Sequence, residues 1–382
     1  MLRLLIPLLL IISLLGCQKN SPEPSDEIID VQRLGQMIVV GFRGTELSEE
    51  STIYKDLTER NISGVVLFDR DVITGNRTRN IKDPSQLMQL TNRLIAVAPT
   101  SPIIAVDQEG GLVSRLKESK GFPRSVSAQY LGKLDNEDST RHYSRLMAQE
   151  FMVVNTNTNF APVVDVNINP ENPVIGNLER SFSGDPDKVA EHAGYVIDEY
   201  SKEGILNVLK HFPGHGSSTS DSHLGFTDVT DTWNKEELIP YKELFAEKDI
   251  RAVMTAHIFN ANIDSLWPAT LSDNTINGLL RDSLGFEGVV FSDDMQMDAI
   301  RAEYGLETAI EKAINAGVDI LIFGNNLVYE EDIAERAITI IQKLLEEGKI
   351  SKETVEASLA RIDKLKEEVI APLCSCMNFL NE

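Results

Sequence analysis

Cysteine is scarce, three in 382 residues, so no disulfide framework can stand in for a hydrophobic core. Positive charge is also short. Lys and Arg total 36 against 59 Asp and Glu, a formal charge of −23. That balance argues against the basic stripe that draws proteins to nucleic-acid phosphates, so no nucleic-acid partner is expected. It also disfavours a highly anionic substrate, unless a local cationic pocket overrides the global field. No Gly-rich phosphate loop is visible, and Gly110-Gly111 alone is too weak a signal for one. No linker or shift in composition divides the body of the chain, and no internal repeat appears beyond a strand–helix beat. What is present is ordinary for a globular protein: 42% hydrophobic and 25% charged residues, which excludes collagen-like, coiled-coil and wholly disordered chains.

The longest apolar run, Leu4 to Leu15, follows a short basic head and is too short for a comfortable membrane-spanning helix. It fits the core of a signal peptide over residues 1–16. The run ends Leu14-Leu15-Gly16-Cys17, which resembles the lipobox of bacterial lipoproteins, where cleavage precedes a cysteine that carries lipid. A buried free thiol is the alternative for Cys17. Residues 17–28 are rich in Pro, Ser, Asn and acid and suggest a flexible tether. An exported protein, held to a membrane of the cell envelope through Cys17, is therefore expected. Cys374 and Cys376, one residue apart, cannot easily bridge each other and belong to a tail at 371–382.

Between these ends, short β-branched runs alternate with helical patterns, the signature of parallel β/α units. Strands are expected at Ile38–Phe42, Gly64–Phe68, Ile103–Asp107, Asn159–Val166, Leu206–Phe212, Ala252–Ile258, Val289–Asp293 and Ile320–Gly324. Helices fit Ser85–Ala98, Thr140–Asn155, Pro186–Glu203, Lys235–Lys248 and Thr308–Ala316. Asp83-Pro84-Ser85 and Asp185-Pro186-Asp187 supply helix-start signals. Eight such units point to an α/β protein built as one (β/α)8 barrel over 29–370, with two helices from Glu330 to about Val369 packed outside.

A barrel of this kind builds its active site at the C-terminal ends of its strands. Those ends carry Asp107, Asp165, Lys210-His211, His257 and Asp293-Asp294. Ionisable groups closing five apolar strands are hard to explain by packing, because lone buried charges are costly. After the fifth strand comes Lys210-His211-Phe212-Pro213-Gly214-His215-Gly216, then Asp221-Ser222-His223. The glycines and proline shape a tight loop. Asp221 lies close enough to His223 to orient the imidazole and raise its basicity, the relation a general acid/base needs. A zinc site from His211, His215, His223 and Asp221 is the rival by ligand type, but the spacing matches no helical metal motif. No metal and no cofactor is expected.

These segments resemble the β-N-acetylglucosaminidase branch of glycoside hydrolase family 3. Agreement extends to Val106-Asp107-Gln108-Glu109-Gly110-Gly111 with Arg115, to Asn159 through Asp165, to Glu179-Arg180-Ser181-Phe182 and to Phe291-Ser292-Asp293-Asp294-Met295. Leu112 departs from it, standing where an arginine is common. The resemblance implies removal of a terminal β-linked N-acetylhexosamine with retention, through a covalent glycosyl-enzyme. It implies Asp293 as nucleophile and His223, paired with Asp221, as acid/base on a mobile loop. Asp107, Arg115, Arg180, Lys210 and His211 would hold the sugar. Asp294 would point away as a support, Asp165 and His257 would assist, and His215 would brace the loop. It implies a single-domain form without the second α/β domain of longer members, and bacterial cell-wall fragments as substrate. A phosphorylase, a β-glucosidase and an inactive glycan-binding lipoprotein are the alternatives.

Overall fold

The computed structural model describes residues 29–379, Leu224 excepted. The expected signal peptide (1–16), lipid-bearing Cys17 and tether (17–28) lie outside the described residues, as does the side chain of Cys376. Among the described residues, no helix is long and apolar enough to cross a membrane.

Eight strands close into a parallel barrel in chain order. They are β1 (Ile38–Gly41), β2 (Gly64–Val66), β3 (Ile103–Val106), β4 (Thr158–Asn159), β5 (Leu206–Phe212), β6 (Ala252–Thr255), β7 (Val289–Asp294) and β8 (Ile320–Phe323). β8 returns to β1 through Val39 opposite Ile322. Most strand residues are fully buried, as expected of a parallel sheet with side chains filling one face and helices covering the other. Phe160 and Phe291 meet edge to face inside, with ring centroids 5.9 Å apart. Truncating so deep a ring, Phe291→Ala, would cost about 3–5 kcal/mol.

β4 is the clearest departure from expectation. A continuous strand over Asn159–Val166 is interrupted because Pro162 has no N–H to give the ladder. Beyond Asn159 the chain rejoins its neighbour through a single bridge, Val163 to Lys210. β6 stops at Thr255, so His257 stands past the strand.

Helices over Pro84–Val97, Glu137–Val153, Pro186–Lys202, Ile239–Glu247 and Leu306–Ala316 cover the barrel. Asp83 and Asp185 cap two of them, accepting the N–H of Gln86 and of Asp187, and each is followed by proline in the first turn. Ile333–Glu346 and Lys352–Leu365 pack outside, and the chain continues through a wide helical turn, Lys366–Ile370, into a helix over Ala371–Phe379. Cys374, expected in a tail, is buried there and its sulfur accepts from Asn157 Nδ2 at 3.5 Å.

Candidate active site

The C-terminal face gathers Asp107, Glu109, Arg115, Arg180, Lys210, His211, His223, Asp293 and Asp294 around one cavity of about 420 Å³. That size suits a small ligand.

Its deep end is a lattice of paired charges. Lys210, from β5, places its ammonium 2.8 Å from both Asp107 Oδ1 and Glu109 Oε1. Arg180 meets Glu109 through two nitrogens, each at 2.7 Å. Arg115 Nη2 lies 3.1 Å from Asp107 Oδ2. Burial alone would favour the neutral acids. Lys210 and Arg115 outweigh it at Asp107, as Arg180 and Lys210 do at Glu109, and both carboxyls fall well below the usual range. Arg180 and Arg115 are thus ion-paired inside the barrel. Arg115 Nε–H is buried without a partner among the described residues, a donor left for a ligand.

His211 Nδ1 lies 2.6 Å from Asp165 Oδ2, and its Nε2 lies 3.1 Å from Arg180 Nη2. Guanidinium can only donate, so Nε2 accepts and the ring proton sits on Nδ1, facing Asp165. Burial, then the cations Arg180 and Lys210, hold the imidazole well below its ordinary pKa. Expected to donate to a sugar, His211 has both ring nitrogens engaged and borders the cavity as a neutral ring. Asp165 is fully buried and also accepts the N–H of His211 and of His215 at 3.2 and 2.8 Å. It anchors the start of the loop.

The loop after β5 is held at its base. Gly216 passes so close to Val166 that a Cβ would fall 1.7 Å from its carbonyl oxygen, and Gly214 sits at φ +117°. Neither position accepts a side chain. Glu237 Oε2 takes the Gly216 N–H at 2.9 Å, and Trp233 Nε1 donates to Pro213 O at 3.1 Å. His215 spans the loop, with Nδ1 2.8 Å from Ser218 Oγ and Nε2 3.1 Å from Ser222 Oγ.

Past these clamps, His223 Nδ1 lies 2.8 Å from Asp221 Oδ1, which also accepts the His223 N–H at 2.8 Å. The imidazole is 44% exposed, unlike the other histidines of the site. Partial burial works against its charged form, but Asp221, and then the charge of Asp293, outweigh it and raise its pKa.

Asp293 and Asp294 end β7. Burial would push Asp293 up, but the imidazoles of His257, His211 and His223 and the Asp294 N–H, 2.8 Å from Oδ1, hold it below the usual range. Asp294, expected to point away as a support, borders the cavity beside Asp293. Its Oδ1 accepts the N–H of Gln296 and of Gly324 at 3.0 and 2.9 Å. Burial first, and the neighbouring Asp293 charge, raise it to about 6. His257 Nε2 meets the Asp294 carbonyl at 3.0 Å and so carries its proton. Among the described residues, no three His, Cys, Asp or Glu side chains converge as metal ligands.

Residues 29–365 match the glycosyl hydrolase family 3 N-terminal domain. The chain belongs to glycoside hydrolase family 3. It is 31% identical over 375 residues to β-hexosaminidase A of Pseudoalteromonas piscicida, covering 88% of this chain and 61% of that one. It is 35% identical over 295 residues to a β-hexosaminidase of Tolumonas auensis, covering 76% and 83%. In structure it is similar to a family 3 β-N-acetylglucosaminidase from Paenibacillus sp., with a TM-score of 0.80, 32% identity and 88% and 62% coverage. The chain thus spans about three fifths of the Pseudoalteromonas and Paenibacillus proteins.

Glu109 was the main residue the sequence did not single out. Its only signal was its place two residues after Asp107, within the strand-end run Asp107-Gln108-Glu109-Gly110-Gly111. Glu237, and Arg70 at the cavity, sit in no local motif.

Proposed function

We propose that this protein is a retaining exo-β-N-acetylglucosaminidase, hydrolysing terminal β-linked N-acetylhexosamine from glycans, with peptidoglycan fragments as substrate. One observation carries the reading. A carboxylate favoured in its ionised form, Asp293, and an imidazole paired with Asp221, which raises its basicity, His223, border one cavity beside a lattice of paired polar groups. The names of its hexosaminidase relatives support it.

In the first displacement Asp293 attacks the anomeric carbon, the bond from that carbon to the leaving oxygen breaks, and protonated His223 gives its proton to that oxygen. In the second, neutral His223 takes a proton from water, water attacks the same carbon, and the bond to Asp293 breaks. Two inversions retain configuration. Asp221 holds the imidazole and favours its charged form. An imidazolium in place of a second carboxylate suits the site, because two carboxylates close together repel one another. Asp107, Arg115, Arg180 and Lys210 position the sugar, and His211 flanks it. Cys17 carries the lipid that holds the enzyme in the cell envelope.

The test is hydrolysis of p-nitrophenyl β-N-acetylglucosaminide beside the β-glucoside by wild type, Asp293→Ala and His223→Ala, with and without phosphate. Preferential cleavage of the acetamido sugar, abolished by Asp293→Ala, supports the reading. A sugar 1-phosphate product would make the enzyme a phosphorylase, and an inert wild type would leave a glycan-binding protein. Release of a Cys17→Ser variant from the membrane fraction checks the anchor.

A further inference from the structure

The mouth of the cavity differs from its floor. Its rim is formed by Phe68, Arg70 and Val72 after β2, Leu112 after β3, and Leu327 after β8. Three of these are exposed apolar side chains: Val72 at 48%, Leu112 at 63% and Leu327 at 36%. Arg70 is exposed among them, and it has no hydrogen bond or ion pair to any described residue. Among the described residues, every other Lys or Arg bordering the cavity already contacts a carboxylate, as Arg115, Arg180 and Lys210 do through Asp107 and Glu109. The carboxylates next to Arg70 in sequence are matched as well. Asp69 is taken by Lys117 at 2.5 Å, and Asp71 by Arg43 at 2.6 Å and Arg79 at 2.8 Å. In a chain of net charge −23, an unmatched guanidinium at the mouth of the site is a local reversal of sign. The floor holds the terminal sugar, so the mouth faces the leaving group.

We propose that Arg70 is a specificity-determining residue that binds a carboxylate on the leaving group, while Val72, Leu112 and Leu327 cover apolar parts of the same group. The chemistry that fits is an aminosugar bearing a short apolar arm that ends in a carboxylate, such as a 3-O-lactyl group. Guanidinium is the side chain best shaped for a carboxylate, and exposure keeps the contact modest and sensitive to salt. The inference rests on the hexosaminidase reading above.

The experiment compares kcat/KM on GlcNAc-β-1,4-MurNAc with that on GlcNAc-β-1,4-GlcNAc, which lacks the lactyl carboxylate. Wild type, Arg70→Met and Arg70→Lys are measured at low and high NaCl. The ratio of the two values is independent of how much of a variant is folded. Wild type should favour the lactyl substrate about fivefold at low salt. Arg70→Met should bring the ratio near one, Arg70→Lys should keep most of it, and salt should lower it in wild type. An unchanged ratio in Arg70→Met, or no preference in wild type, overturns the proposal. If both disaccharides and the p-nitrophenyl glycoside are cleaved with no effect of Arg70, only the Arg70 assignment fails. If wild type cleaves none of the three, the hexosaminidase reading fails and takes this one with it.

Discussion

The floor of the cavity and the loop that carries His223 show two ways of holding charge. On the floor, three cations, Arg115, Arg180 and Lys210, share two carboxylates, Asp107 and Glu109, in a buried lattice fixed to strand ends. On the loop, Asp221 and His223 form a half-exposed pair beyond the clamps of Asp165, His215 and Glu237. A buried lattice fixes geometry but cannot change protonation cheaply, because removing one partner strands the rest. An exposed pair can gain and lose a proton at little cost to the fold. Binding suits the first arrangement and proton transfer the second.

The largest way to break this contrast is Arg180→Ala, which leaves Glu109 buried beside Lys210 alone. It should cost about 3–5 kcal/mol of stability, seen as a fall in the denaturation midpoint, and abolish activity. His223→Ala should leave the denaturation midpoint nearly unchanged while lowering kcat by about 10²–10⁴-fold on substrates whose leaving group needs a proton. Activated aryl glycosides should lose less. An equal loss of stability in both variants would erase the distinction between floor and loop.

Asp221→Asn sharpens it. Wild-type His223 has a raised pKa and keeps its proton to higher pH. Losing the Asp221 charge removes the main cause of that rise, so the alkaline limb of kcat/KM should move toward lower pH. A fall of roughly tenfold at the optimum accompanies it.

Glu237→Gln gives the smallest effect. Burial raises this carboxyl from 4.5 to about 8. A folded pKa above the unfolded one means that stability is complete below 4.5 and is lost as pH rises through 8. The amide cannot ionise, so the fall in melting temperature between pH 5 and pH 8 should be shallower in the variant. Glu150, raised by burial to about 8 as well, should keep the slope from vanishing. Identical slopes would show that Glu237 ionises freely.

Much of the barrel was legible because β-branched runs and helix-start signals are local. Leu206–Phe212 is a strand with the bounds read from sequence, and Asp83 and Asp185 cap the helices that follow them. β4 is shorter than its apolar run suggests, because Pro162 has no N–H for the ladder. Site residues stood out where they closed apolar strands, as Asp107 and Asp293 do. What sequence could not show was pairing. Nothing in the chain order says that Lys210 reaches both Asp107 and Glu109, or that Arg180 takes the acceptor nitrogen of His211. Adjacency to Asp293 suggests that Asp294 turns away, yet it too borders the cavity, at a point where the register between β7 and β8 is irregular. Glu237 and Arg70 come from segments whose local sequence is unremarkable, and only closure of the barrel brings them to the site.

The account turns on which carboxylate forms the covalent bond, since Asp293 and Asp294 both border the cavity and their pKa values are pushed in opposite directions. Intact-protein mass spectrometry of the enzyme with a 5-fluoro N-acetylglucosaminyl fluoride, followed by peptide mapping, decides it. The account predicts one glycosyl adduct on Asp293, absent from Asp293→Ala. An adduct on Asp294, or turnover with no adduct under conditions that slow its release, would contradict it.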